Sequence, residues 1–81
     1  MHETHIVGNI LRYLEDEEKR SSKSVKKICM SLSQFGGISK GHFLEHYKEK
    51  TLGTKWETLD IEIKEIPFGP EIEITRIEYV I

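Results

Sequence analysis

Apolar side chains recur at Ile6, Val7, Ile10, Leu11 and Leu14 with polar residues between them, the spacing of one face of an α-helix. The pattern predicts a helix from residue 4 to about residue 20. Thr4 is the expected N-cap, but Val7 stands where a capping box needs an acid or amide, so the cap has only half its usual support. Gly8 costs such a helix about 1 kcal/mol relative to Ala, and its small size would permit a close backbone approach. The run Glu15-Asp16-Glu17-Glu18-Lys19-Arg20 reads as a solvated helical end, with basic residues last to suit the helix dipole.

After the polar Ser21-Ser22-Lys23 the period changes. Ile28, Met30 and Leu32 alternate with Cys29, Ser31 and Ser33, the two-residue repeat of a strand. Gln34 to Ile38 form a loop in which Gly36-Gly37 supply unusual backbone angles. Ser39 caps a second helix over residues 40–51, with Phe43, Leu44 and Tyr47 as its buried stripe and Gly53 as a stop signal. From Trp56 onward the pattern is again that of a strand, Leu59, Ile61 and Ile63 alternating with Asp60, Glu62 and Lys64. A turn at Pro67-Phe68-Gly69-Pro70 precedes Ile72 and Ile74, then Ile77 and Tyr79. These two pairs fall on opposite faces of a regular strand, and a bulge near Thr75-Arg76 would bring them to the same face.

The element order is therefore α-β-α-β-β. The last two strands are expected to pair as an antiparallel hairpin, and the strand–helix–strand unit to make a parallel crossover. Two helices packed on one face of a three-stranded mixed sheet is the natural α+β arrangement for this order. All of residues 1–81 form a single domain.

Composition narrows the function. A chain of 81 residues has a thin core, burying about 60–65% of its unfolded surface. A net charge of −2 and a pI near 6.1 leave no basic footprint for nucleic acid or an anionic membrane. No apolar run approaches the roughly 20 residues of a membrane span, and no secretory leader is visible. The single cysteine forms no internal disulfide, in keeping with a cytoplasmic location, and cannot build a four-thiolate zinc site. Cys29 lies opposite the aliphatics of its strand with no activating neighbour, and reads as a small structural residue. No nucleophile–base pair, phosphate loop or paired-carboxylate pattern is present, so an enzyme is not expected.

The chain opens Met1-His2-Glu3. A histidine directly after a free amino group is a preassembled chelator whose imidazole and main-chain nitrogens converge on one small ion. An all-nitrogen, planar set of this kind suits Ni(II) or Cu(II) better than zinc or magnesium. The His2 amide and its own Nδ1 close a six-membered chelate ring. The next ring, five-membered, uses either the Met1 amine or the Glu3 amide. The corner opposite the His2 amide must come from elsewhere, and His5 is the nearest candidate. The amides must lose a proton to bind, so affinity falls with acid. The large His2 side chain is expected to protect Met1 from removal. His42 and His46, four apart on the second helix, could hold a metal by spacing, but no catalytic acid accompanies them and they read as ordinary histidines.

The order of features along the whole chain resembles the hydrogenase nickel-incorporation proteins of the HypA/HybF family. That resemblance is carried by Met1-His2-Glu3 before an amphipathic helix, Leu32-Ser33 closing a strand and the spaced aromatics Phe43 and Tyr47. Gly53-Thr54, the strand Leu59-Asp60-Ile61-Glu62, and the final Gly69, Glu71, Ile74, Ile77 and Glu78 complete it. It implies a nickel metallochaperone that passes Ni(II) to the large subunit of [NiFe] hydrogenase, or to urease, together with a maturation GTPase. It also implies that His2 is the essential ligand, with Met1 and Glu3 adding main-chain nitrogen. The family's zinc-binding insertion, with its two Cys-x-x-Cys pairs, is replaced here by Pro67-Phe68-Gly69-Pro70, so no zinc is expected. Ser31 and His42 stand where the family usually has glycine and leucine. The competing expectation is a metal-free interaction module whose exposed sheet edges add a strand to a partner, or to another copy in a homo-oligomer.

Overall fold

Alternation of aliphatic and polar residues produces strands, and the helical stripes produce helices, in the expected order. The computed structural model describes the backbone of residues 2–81 and the side chains of residues 5–81. It contains α1 (His2–Ser21), β1 (Val25–Ser33), α2 (Lys40–Thr51), β2 (Asp60–Ile66) and β3 (Ile72–Tyr79). The core joins Val7, Ile10 and Leu14 of α1, Phe43 and Tyr47 of α2, and Ile28, Met30 and Leu32 of β1. Both helices thus pack on the sheet face that carries the β1 aliphatics. Cys29, Ser31 and Ser33 alternate onto the other face.

The sheet corrects one expectation. Its order is β2-β1-β3, with β1 parallel to β2 and antiparallel to β3. The last two strands do not form a hairpin. They occupy opposite edges, and residues 67–71 carry the chain across the end of β1. Two strand spacings are about 9.5 Å, well within the ~17 Å reach of five residues. The crossing segment is held down by the Ser33 amide donating to the Glu71 carbonyl at 3.1 Å and the Gln34 amide donating to the Ile66 carbonyl at 2.8 Å. A Cβ on Gly36 would lie 2.9 Å from the Glu71 Cγ, so this glycine is what lets the crossing segment lie so close. The physical reason for the order is side-chain size. Small Cys29, Ser31 and Ser33 suit a strand flanked on both sides, whereas the charged residues of β2 and β3 suit edges.

The bulge in β3 is present. Cys29 pairs with Arg76 and Met30 with Ile74, leaving Thr75 as the extra residue. Ile72, Ile74 and Ile77 consequently all pack against the core. The Thr75 hydroxyl donates to the Cys29 carbonyl at 3.2 Å. Ser39 caps α2, its Oγ accepting from the His42 amide at 3.0 Å.

Three local readings change. Helix α1 starts at His2 rather than after Thr4. Strand β2 starts at Asp60, because the stretch around Trp56 is held in turns. The Thr54 hydroxyl donates to the Thr51 carbonyl at 2.7 Å, the Tyr47 hydroxyl donates to the Trp56 carbonyl at 2.8 Å, and Trp56 is 4% exposed. Gly8 serves no close approach, for an added Cβ there meets nothing within 4 Å. Gly8→Ala should therefore stabilise the protein by up to about 1 kcal/mol, seen as a higher urea midpoint at unchanged slope.

The acidic end of α1 is likewise more than a solvated tip. The Val25 amide donates to Glu18 Oε2 at 2.8 Å, and Lys55 donates to the other oxygen. Arg20 Nε donates to Glu17 at 3.2 Å, and the Tyr79 hydroxyl donates to Glu17 at 3.1 Å. The bond from Arg20 holds the Glu17 carboxyl below its ordinary value. Burial pushes the Glu18 carboxyl up, but the bonds from Lys55 and the Val25 amide outweigh it and the net shift is downward. Since both groups are more acidic folded than unfolded, protons bind the unfolded chain more readily. The stabilisation they give is complete above the ordinary carboxyl value of 4.5 and is lost as pH falls through the lower folded values. Urea melts between pH 6 and pH 3 should show that loss, with a shallower decline in Glu18→Gln.

Candidate metal centre

The first turn of any α-helix leaves its leading amides without intrahelical acceptors. A helix beginning at His2 therefore presents the His2 and Glu3 nitrogens unclaimed. Helical ψ angles turn successive nitrogens to one side, the disposition a five-membered chelate ring needs. The positive end of the dipole also favours negative charge there, which lowers the cost of removing an amide proton. Met1 and the side chains of His2 and Glu3 lie outside the described residues. His5 is exposed on α1, three residues after His2. Helical side chains lean toward the amino end, so the His5 imidazole covers the turn that contains His2.

The other histidines are in α2. His42 is exposed. His46 is half-buried, with Nδ1 3.8 Å from a Glu49 carboxylate oxygen. It lines a groove of about 230 Å³ with Val7, Glu49 and Lys50. Among the described residues no group of three or more His, Cys, Asp or Glu is arranged to hold a metal. Cys29 is half-buried on the sheet face that the helices leave uncovered, level with Glu62 on one side and Arg76 on the other.

A larger groove escapes a reading of the sequence. It has a volume of about 630 Å³ and runs between α2 and β2, with Leu44, Tyr47, Leu59 and Ile61 in its wall and Glu45 and Lys48 at its rim. Burial raises the Tyr47 hydroxyl pKa to about 12, so it stays protonated as a donor to the Trp56 carbonyl. The one hint in the sequence is that Leu44 lies on the flank of the α2 stripe toward the next strand.

Among solved structures, the solution structure of the Ni metallochaperone HypA from Helicobacter pylori aligns with a TM-score of 0.79, covering 96% of this chain and 97% of that one. This chain has the HypA fold. The two sequences are 9% identical, so the likeness is one of backbone architecture. No family model matches the sequence, and no curated protein matches it. No helix among the described residues is long and apolar enough to cross a membrane.

Proposed function

We propose that this chain is a nickel-binding, metallochaperone-like protein that takes Ni(II) as cargo at Met1-His2-Glu3. In this reading it acts in the maturation of [NiFe] hydrogenase, or of urease, in the cytoplasm. The maturation GTPase and the hydrogenase large subunit are its partners, and it catalyses no reaction itself. The observation that carries the reading is the coincidence of two features. The fold is shared with a nickel metallochaperone, and the histidine that the chelate argument needs is the second residue of the chain. The His2 imidazole and amide bind the ion, and the Met1 amine or the Glu3 amide adds a third nitrogen, with His5 on the next turn. Release follows protonation of the amide nitrogens, or their displacement by a partner's ligands, because only the deprotonated amide binds. Affinity order alone would favour Cu(II), so preference for nickel rests on supply.

Titration of native-ended protein with Ni(II) near neutral pH, followed by calorimetry and by the d–d absorption, tests the reading. Binding with release of protons and a steep loss on acidification is the expected result, and no binding overturns it. The alternative is a metal-free accessory module of the same maturation pathway. What favours it is the free edge of β2 beside the apolar groove. A partner complex that forms equally well in chelator would support it.

A further inference from the structure

Helix α2 has two flanks beside its buried stripe of Phe43, Tyr47 and Thr51. At about 100° per residue, Leu44 and Lys48 fall on one flank, and both line the groove toward β2. His42, His46 and Glu49 fall on the other, within an arc of about 60°. That flank lies on the α1 side, since His46, Glu49 and Lys50 share their groove with Val7. The two helices run parallel. Val7 of α1 lies beside His46 and Lys50, and Glu15 and Glu18 lie beside Lys55 and Trp56, just past the end of α2. The first turn of α1 and the histidines of α2 are therefore at the same end of the helix pair.

We propose that His42 and His46 form a second transition-metal site, a bidentate imidazole pair on α2 that is separate from the amino-terminal nitrogens. Residues four apart on a helix have Cβ atoms about 5–6 Å from each other. Helical side chains lean toward the amino end, so the His46 ring covers the turn that carries His42. Two imidazole nitrogens, each about 2.0–2.1 Å from one ion, occupy neighbouring corners ~3 Å apart, a gap that the two rings close by tilting together. His46 Nδ1 faces a Glu49 carboxylate oxygen at 3.8 Å, which leaves Nε2 for the metal. A carboxylate behind the ring nitrogen that does not bind is the common outer partner of a metal-bound histidine, and it fixes the tautomer and the ring orientation. His42 is exposed and His46 half-buried, so an ion reaches both without opening the core. Among the described residues no third His, Cys, Asp or Glu completes a set with them. The pair therefore holds its ion through two nitrogens and leaves the other corners to water. Imidazole suits nickel, copper and zinc alike, so the ligand is a borderline divalent cation. The site lacks the deprotonated amides of the amino-terminal chelate and is the weaker of the two. The chain then carries two ions, one tightly and one loosely.

The probe is Ni(II) alone. The chain has four histidines, and His2→Ala combined with His5→Ala leaves only His42 and His46. The outcome in this double variant is thus independent of the amino-terminal proposal. Calorimetry should show one ion bound per chain, more weakly than the first ion of the native chain. Six-coordinate Ni(II) is paramagnetic, so the NMR signals of both remaining imidazoles should broaden as the site fills. Adding His42→Ala or His46→Gln should lower the affinity at least ~10-fold, and Glu49→Gln by up to ~10-fold. Neither histidine is buried, so circular dichroism should be unchanged throughout. Lys50→His, added to His42→Ala, sets a new imidazole four residues beyond His46 on the same flank and should restore binding. A double variant that binds no Ni(II) overturns the proposal. Binding that survives both histidine changes, or broadening confined to other residues, also overturns it.

Discussion

His2→Ala should lower Ni(II) affinity by at least ~100-fold while leaving the unfolding midpoint unchanged. Loss of an outer-shell partner of a metal ligand costs about 10–100-fold, and here the ligand itself and its six-membered ring disappear together. Stability should be indifferent, because the core begins at Val7, beyond the first turn of α1. Two further variants resolve the chelate. A Gly-Ser extension ahead of Met1 removes the terminal amine but keeps the His2 and Glu3 amides. Retained affinity in that variant selects the Glu3 nitrogen, and lost affinity selects the Met1 amine. His5→Ala reports the fourth corner. Calorimetry in a weakly coordinating buffer reads all three. Native-like binding in His2→Ala would remove the nickel proposal and leave the fold and its edge strand untouched.

Phe43→Ala should destabilise the protein by about 3–5 kcal/mol, read from urea melts monitored by circular dichroism. Phe43 is 0% exposed, and its ring lies 6.4 Å from that of Tyr47. It is the largest fully buried side chain among the described residues, so its truncation leaves a cavity that little else can collapse to fill. A domain of this size holds only about 5–15 kcal/mol in total, so this one change removes roughly a fifth or more of it. Phe43→Leu should recover over half of the loss, because volume-conserving apolar replacements are tolerated best. A cost below about 1 kcal/mol for the alanine variant would mean that α2 is not anchored where the core places it.

Periodicity carries most of the fold. The stripe of Phe43 and Tyr47, bounded by Ser39, sets α2 at residues 40–51 as observed. The conflict between Ile72-Ile74 and Ile77-Tyr79 locates the bulge seen at Thr75. The pairing of the last two strands is not legible in this way. Proximity in sequence suggests a hairpin, yet pairing is decided by which strand can be buried on both sides. The contrast of Ser31 and Ser33 with Glu62 and Lys64 is the signal that marks β1 as central. Glu17 and Glu18 read as solvated because a charged run usually is, and nothing local reveals that Tyr79 and Lys55 come from far along the chain to meet them. Trp56 reads as a strand residue because its apolar ring is visible in the sequence and the hydroxyl-fixed turns around it are not. The proposed nickel-donor set of Met1, His2, Glu3 and His5 is read from the sequence alone. The structure adds where α1 begins and where His5 lies.

The central place of β1 has a consequence for biosynthesis. Both of its neighbours, β2 and β3, come from residues 60–79. While a ribosome is still making residues 1–59, the two helices and one lone strand have no sheet to close upon, so cooperative folding must wait for that later segment to emerge. Such dependence on distant partners slows acquisition of the native state. During that interval the aliphatic side of β1 is exposed to whatever chaperones attend the nascent chain.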